Sequence, residues 1–170
     1  MGVTGVELLT RAYEQIRDLG HRAVDGLTAD QLNGRIASNA NTISWLIWHL
    51  TRVQDDHVAD VAGTEQVWTS AGWADRFDLP LDVEATGYGH SVAEVGKVRV
   101  DSGELLTGYL DATTEATLTY LGTLSDHDLD RVVDESYDPP VTLGVRLLSV
   151  VGDDLQHVGQ AAFASGLTSD

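Results

Sequence analysis

Four stretches of this chain carry apolar residues at helical spacing, and each runs for several turns. In the first, near 4–24, Val6, Leu9, Tyr13, Ile16 and Leu19 or Gly20 fall on one face. The second, near 42–62, starts behind Asn41 or Thr42 as its cap and aligns Ile43, Leu46, Leu50, Val53 and Val61. The third, near 101–122, aligns Leu105, Leu106, Tyr109, Leu110, Leu118 and Leu121. The fourth starts at Thr142, aligns Leu143, Leu147, Val150, Val158, Ala161 and Ala162, and stops near 165 with Gly166 as the terminating glycine. An amphipathic helix must bury its stripe against another element. Four of them, joined by long connections, predict an all-α fold: a four-helix bundle of antiparallel-type helices with long crossover loops, in one domain over 1–170.

The connections have their own pattern. "GLTADQL" and "TLSDHDL" each read as a short turn followed by an extended loop that leads into a long helix. Offset by 100 positions, "TISWLIWHLTRVQDDH" lies against "TLGVRLLSVVGDDLQH", with His57 over His157. The match predicts two similar helix–loop–helix halves. The segment 63–90 holds no period of 3.6 or 2, and reads as one long loop with Trp68, Trp73, Phe77 and Tyr88. Loops of that length often form lids or pocket walls. Ser91 is placed to cap a short helix.

Charge and composition narrow the function. Ten Lys+Arg against 27 Asp+Glu give a net charge of −17. With no basic cluster to interrupt that field, nucleic acid and anionic membranes are disfavoured as partners. There is no cysteine, so a disulfide framework, a thiolate metal site and a Cys nucleophile are all excluded. The N-terminus lacks a basic segment followed by an apolar run, and the longest apolar stretch, "ISWLIWHL", falls far short of the ~20 residues needed to span a bilayer. A soluble, cytoplasmic protein is expected.

The fourth helix carries Asp153 and His157 one turn apart, with Gln160, on the border of its apolar stripe. The second carries His49 on its own border, one turn from Val53. Two readings compete. Asp153 and His157 form either an ordinary helix-edge pair, worth only ~0.3–0.5 kcal/mol, or two ligands that converge with a histidine of the second helix on a metal in the bundle core. Imidazole and carboxylate suit Zn²⁺ and other first-row divalent ions, and three protein ligands leave a position for water or substrate. His57 rivals His49, as a core histidine or a partner of the ligands. His21, His90 and His127 read as surface or loop residues, and Trp45 and Trp48 as core and pocket wall.

"NTISWLIWHLTRVQDDHVADVAG" together with "LLSVVGDDLQHVGQAAFASGL" resembles the DinB/YfiT-like superfamily, and within it the mycothiol-dependent branch of S-transferases and maleylpyruvate isomerases. The marks are the His of "WHL" and the H-x-G-Q of the fourth helix, and the similarity covers nearly the whole chain. The resemblance implies a bundle that binds a divalent metal through His49, Asp153 and His157. Many relatives have His at position 153; the isomerase-like branch has a carboxylate, usually Glu, one methylene longer than the Asp here.

It also implies mycothiol as a thiol co-substrate, which suits a chain with no sulfur nucleophile of its own. Metal-bound thiol is deprotonated, and thiolate is the nucleophile. Trp45, Arg52, Asp56 and Gln160 are then candidates to orient ligands or bind the cofactor, and Trp68, Trp73 and Tyr88 to wall the electrophile. Three functions stand open: a metal-dependent mycothiol S-transferase acting on small electrophiles, a mycothiol-dependent isomerase of maleylpyruvate type, and a non-catalytic metal-binding stress-response bundle. The isomerases usually carry a further C-terminal domain, and a structural zinc usually takes four protein ligands, so the transferase is expected. Zn²⁺, Ni²⁺, Fe²⁺ and Mn²⁺ all suit the ligands, and no heptad chooses between monomer and homodimer.

Overall fold

A computed structural model describes residues 2–168. Met1, Ser169 and Asp170, within the domain expected over 1–170, lie outside the described residues. Four long helices dominate: α1 (Gly5–Val24), α3 (Ile43–Ala62), α7 (Gly103–Leu121) and α8 (Leu143–Thr168). Between them lie the short helices α2 (Ala29–Asn33), α4 (Val67–Ser70), α5 (Trp73–Phe77) and α6 (Val92–Val95), one 3₁₀ turn (Asp126–Asp130), and a small antiparallel pair, β1 (Val132–Asp134) with β2 (Val141–Thr142). Among the described residues no helix is long and apolar enough to cross a membrane.

Local chemistry sets the helix ends. Thr4 and Glu7 form a reciprocal capping box at the start of α1. The Thr42 hydroxyl accepts from Trp45 N at 3.1 Å and starts α3. Gly63, at φ 69°, ends α3 in the left-handed region, and Thr64 N–H closes on the Ala59 carbonyl at 3.0 Å. The two halves do resemble one another at their crossings: Thr28 caps α2 and Ser125 caps the 3₁₀ turn, each through a capping box. Three expectations need correction. "GLTADQL" contains a helix rather than a bare turn, the segment 63–90 contains α4 and α5, and α8 continues through Gly166 to Thr168.

Helix direction is the larger correction. α1 packs on α7 and α8, and so does α3, which makes a ring in the order α1, α8, α3, α7. His21 meets Asp111 and Val24 meets Gly103, so α1 and α7 run antiparallel. His57 meets Arg146 while His49 meets His157, so α3 and α8 also run antiparallel. Tyr109 bonds Asp55 and Tyr120 bonds the Val61 carbonyl, so α3 and α7 run parallel. The connection 63–102 has to travel back along the bundle, which is why it is long and why it folds into short helices. Residues 25–42 and 122–142 cross the ring diagonally.

The core is filled from all four long helices. Ile16, Leu46, Ile47, Leu50, Leu106, Leu110, Leu143 and Leu147 are all at most 2% exposed. Each such side chain contributes about 1.5–3 kcal/mol by leaving water. The four stripes therefore supply the core of the fold.

Candidate metal centre

The antiparallel crossing of α3 and α8 brings His49 against His157, with ring centroids 4.6 Å apart. Asp153, one turn before His157, joins them. One ligand atom from each of the three lies within 4.8 Å of the others, so the group can hold a metal ion. The position is shielded: His49 is buried, and Asp153 and His157 are half-buried.

Backbone carbonyls set the orientation of both imidazoles. His49 Nδ1 lies 2.5 Å from the Thr86 carbonyl oxygen, and His157 Nδ1 lies 2.9 Å from the Asp153 carbonyl oxygen. A carbonyl only accepts, so each ring donates from Nδ1 and keeps its Nε2 lone pair for a ligand. His157 Nδ1 is also 3.3 Å from Asp153 Oδ2, but its hydrogen can be aimed at only one oxygen, and the carbonyl is nearer. Asp153 Oδ2 is thus buried with no hydrogen-bond partner among the described residues. A buried carboxylate oxygen that makes no hydrogen bond, approached only by His157 Nδ1 at 3.3 Å, beside two free imidazole nitrogens is a donor set that fits a divalent cation.

The same contacts shift the titrations apart. Burial lowers the His49 pKa, against the Thr86 carbonyl, which favours the charged form. The Asp153 side chain raises that of His157, and His157 in turn lowers that of Asp153. Asp154, the next residue, meets the opposite fate. It is 0% exposed, and burial followed by the nearby Asp153 charge raises its pKa well above the carboxylate range. One step of about 100° around a helix separates a carboxylate at the cleft from a carboxyl in the core.

Around the triad, Trp45 stacks on His49 at 4.4 Å and meets His157 edge-on at 6.1 Å. It forms the wall behind both ligands, and its indole N–H donates to His90 Nδ1 at 3.1 Å. His90 lies 6.0 Å from Trp48 in a stacked arrangement, so it belongs to this wall and not to the free surface. The other side opens into a cleft of about 540 Å³ lined by His49, Val53, Asp56, His57, Thr86, Tyr88, Tyr137, Ser149, Val150 and Asp153.

Several expected neighbours sit elsewhere. Arg52 does not reach the cleft: it is 0% exposed, with Nη1 donating to Gln66 and Tyr109 and its guanidinium 5.1 Å over Trp68. Its influence is indirect, since Arg52 Nε holds the Ala85 carbonyl at 3.1 Å, next to the Thr86 carbonyl that orients His49. Asp56 lines the cleft, with Oδ1 accepting from Gln66 at 2.8 Å. Gln160, three residues past His157, is exposed and is not among the residues that line the cleft. Trp68 packs on Phe77 and Tyr109 in the core, and Trp73 packs on Gly108, so neither walls the cleft; Tyr88 does, at 93% exposure. His57 is not in the core: it is half-buried in the cleft wall and accepts from Arg146.

The sequence carries no sign of Thr86, whose backbone oxygen orients His49, nor of Tyr137. It does hold one signal of the site, the glycines of "TGYGH". Gly87, at φ 96°, lies so close to the site that a Cβ there would be 2.6 Å from His49 Nδ1.

Residues 12–161 match the DinB superfamily. The chain belongs to the DinB superfamily. This family has metal-binding members and includes enzymes. No curated protein matches the chain. A conserved protein from Enterococcus faecalis, known from a crystal structure, is similar over 98% of both chains, with a TM-score of 0.91 and 28% identity. Membership of the DinB superfamily agrees with a helical bundle whose candidate metal centre lies between two long helices.

Proposed function

We propose that this DinB-superfamily protein is a metal-dependent thiol S-transferase that conjugates mycothiol to small electrophiles, with His49, Asp153 and His157 as ligands of a divalent cation, Zn²⁺ first among them. The observation that carries the reading is the triad itself: one ligand atom from each residue within 4.8 Å of the others, and a buried Asp153 oxygen that makes no hydrogen bond, at the edge of a cleft of about 540 Å³. A bound cation would hold a thiol in its thiolate form at neutral pH. The chain itself supplies no thiol, so the sulfur must arrive with a co-substrate. The choice of mycothiol rests on the resemblance of "WHL" and H-x-G-Q to the mycothiol-dependent branch.

The residues of this chain then have defined tasks. The Thr86 and Asp153 carbonyls hold both imidazoles with Nε2 available. Trp45 covers His49 and keeps water from that side, which strengthens electrostatic interactions at the ligands. The cleft receives the electrophile beside the thiol, and positioning of the two reactants supplies much of the acceleration.

The test is metal analysis of the purified protein, followed by consumption of mycothiol with a generic electrophile. Zn²⁺ is expected in the wild type, greatly reduced in His49→Ala, Asp153→Ala and His157→Ala, and retained in His57→Ala. Chelated protein is expected to stay folded, to lose thiol transfer, and to regain it with added Zn²⁺. Equal transfer by chelated and loaded protein would refute the proposal.

A further inference from the structure

The far side of the cleft carries a second built feature, which the metal ligands do not use. His57 on α3 accepts a hydrogen bond at Nδ1 from Arg146 Nη1, 3.2 Å away on α8. Arg146 is anchored in turn: its Nη2 donates to Asp134 Oδ2 on β1 at 3.0 Å, with the two side chains only 18% and 27% exposed. A guanidinium has five donors and no acceptor, so in this geometry the ring hydrogen sits on Nε2. A relay of carboxylate, guanidinium and imidazole thus fixes the tautomer of a histidine that lines the cleft. His49 and His57 are eight residues apart on α3, about 12 Å along its axis, which leaves room for a small molecule between them.

We propose that His57 is the hydrogen-bond donor, through Nε2–H, for the carbonyl oxygen of a neutral electrophile seated in this cleft. The inference names the electrophile class for the site read above, and it rests on that reading. A fixed N–H suits an oxygen that only accepts, and a donor placed where charge develops on a carbonyl oxygen is a common stabilising device. Charge selects the class further. Asp56 lines the same cleft away from the metal ligands and the chain carries a net charge of −17, so a carboxylate ligand is disfavoured where a neutral ketone, aldehyde or imide is not.

Binding and tautomer can be measured without turnover, because the chain has no cysteine to trap an electrophile. Zinc-loaded protein labelled with ¹⁵N-histidine is titrated with 2-cyclohexenone in the absence of thiol. The two-bond ¹H–¹⁵N spectrum is expected to show His57 with its hydrogen on Nε2, and its signals to shift saturably with the enone. His57→Leu is expected to weaken binding by about three- to tenfold, the worth of one hydrogen bond. His57→Gln, which keeps an N–H donor, is expected to recover most of it. Arg146→Met is expected to bring in the Nδ1–H tautomer. Circular dichroism checks the fold of each variant. A wild-type His57 with its hydrogen on Nδ1, an absence of any shift at His57, or equal enone affinity in His57→Leu would overturn the proposal. Zinc content measured on the same samples tests the metal reading separately.

Discussion

One added methyl group at Gly87 separates the role of the loop from that of the ligands. A Cβ at Gly87 would lie 2.6 Å from His49 Nδ1, 3.2 Å from His49 Cγ and 3.1 Å from Trp48 Cζ3. Carbon contacts are optimal near 3.5–4.0 Å, so either the imidazole or the loop must move by ~1 Å. Either movement breaks the alignment of His49 Nδ1 with the Thr86 carbonyl. Two costs add in Gly87→Ala. Holding an L-residue at φ 96° costs about 1–3 kcal/mol, and overpacking a filled contact costs about 1–3 kcal/mol more. The sum is below the upper range of domain stability, about 5–15 kcal/mol, and each kcal/mol lowers Tm by about 2–4 °C in a chain of this size. Metal affinity should fall by about 10–100-fold, as when a partner that orients a ligand is lost. Gly89→Ala is the internal control: its φ is 72°, but nothing lies within 4 Å of its Cβ, so it carries the backbone cost alone. The assay is chelator competition for Zn²⁺ alongside thermal unfolding of the metal-free protein. If Gly87→Ala binds Zn²⁺ within about threefold of the wild type, or Gly89→Ala loses as much affinity, the loop does not position His49 as argued.

Two further predictions concern protons. Metal must displace any proton on the imidazoles, so Zn²⁺ affinity falls on acidification. His157, whose pKa is raised by Asp153, competes first, and His49, whose pKa burial lowers, competes only at lower pH. The plot of log affinity against pH is therefore expected to fall with a slope near one and then to steepen; a slope of two from the outset would contradict the separation. At the other end of the bundle, Asp126 accepts from Gly5 N and Val6 N, each at 3.0 Å, and these bonds lower its pKa. A carboxylate depressed in the folded state stabilises above its unfolded pKa, and that contribution disappears as pH falls through the folded one. Asp126→Asn is expected to lower Tm at pH 7 and to match the wild type in strong acid; an equal deficit at both pH values would refute the charge effect.

What the sequence determined by itself was whatever depends on neighbours along the chain. The four helices are legible because a stripe of apolar residues and a cap at Thr4 or Thr42 are local patterns. The pairing of Asp153 with His157 is legible for the same reason, since i and i+4 share a face in any helix. Family resemblance then selected His49 over His57, and the fold brings that residue to the pair. Tertiary structure alone decided the remainder. The parallel course of α3 and α7 depends on the path of the connection 63–102, and no periodicity encodes a direction. Arg52 sits within a turn of His49, yet burial of its guanidinium over Trp68 takes it to the core and leaves it acting through Ala85. Thr86 serves through a backbone oxygen, which any residue type offers, so its identity carries no signal. His90 reaches the site from the connection between α3 and α7, and Arg146 of α8 meets His57 of α3, because packing, and not spacing, sets which side chains meet across helices.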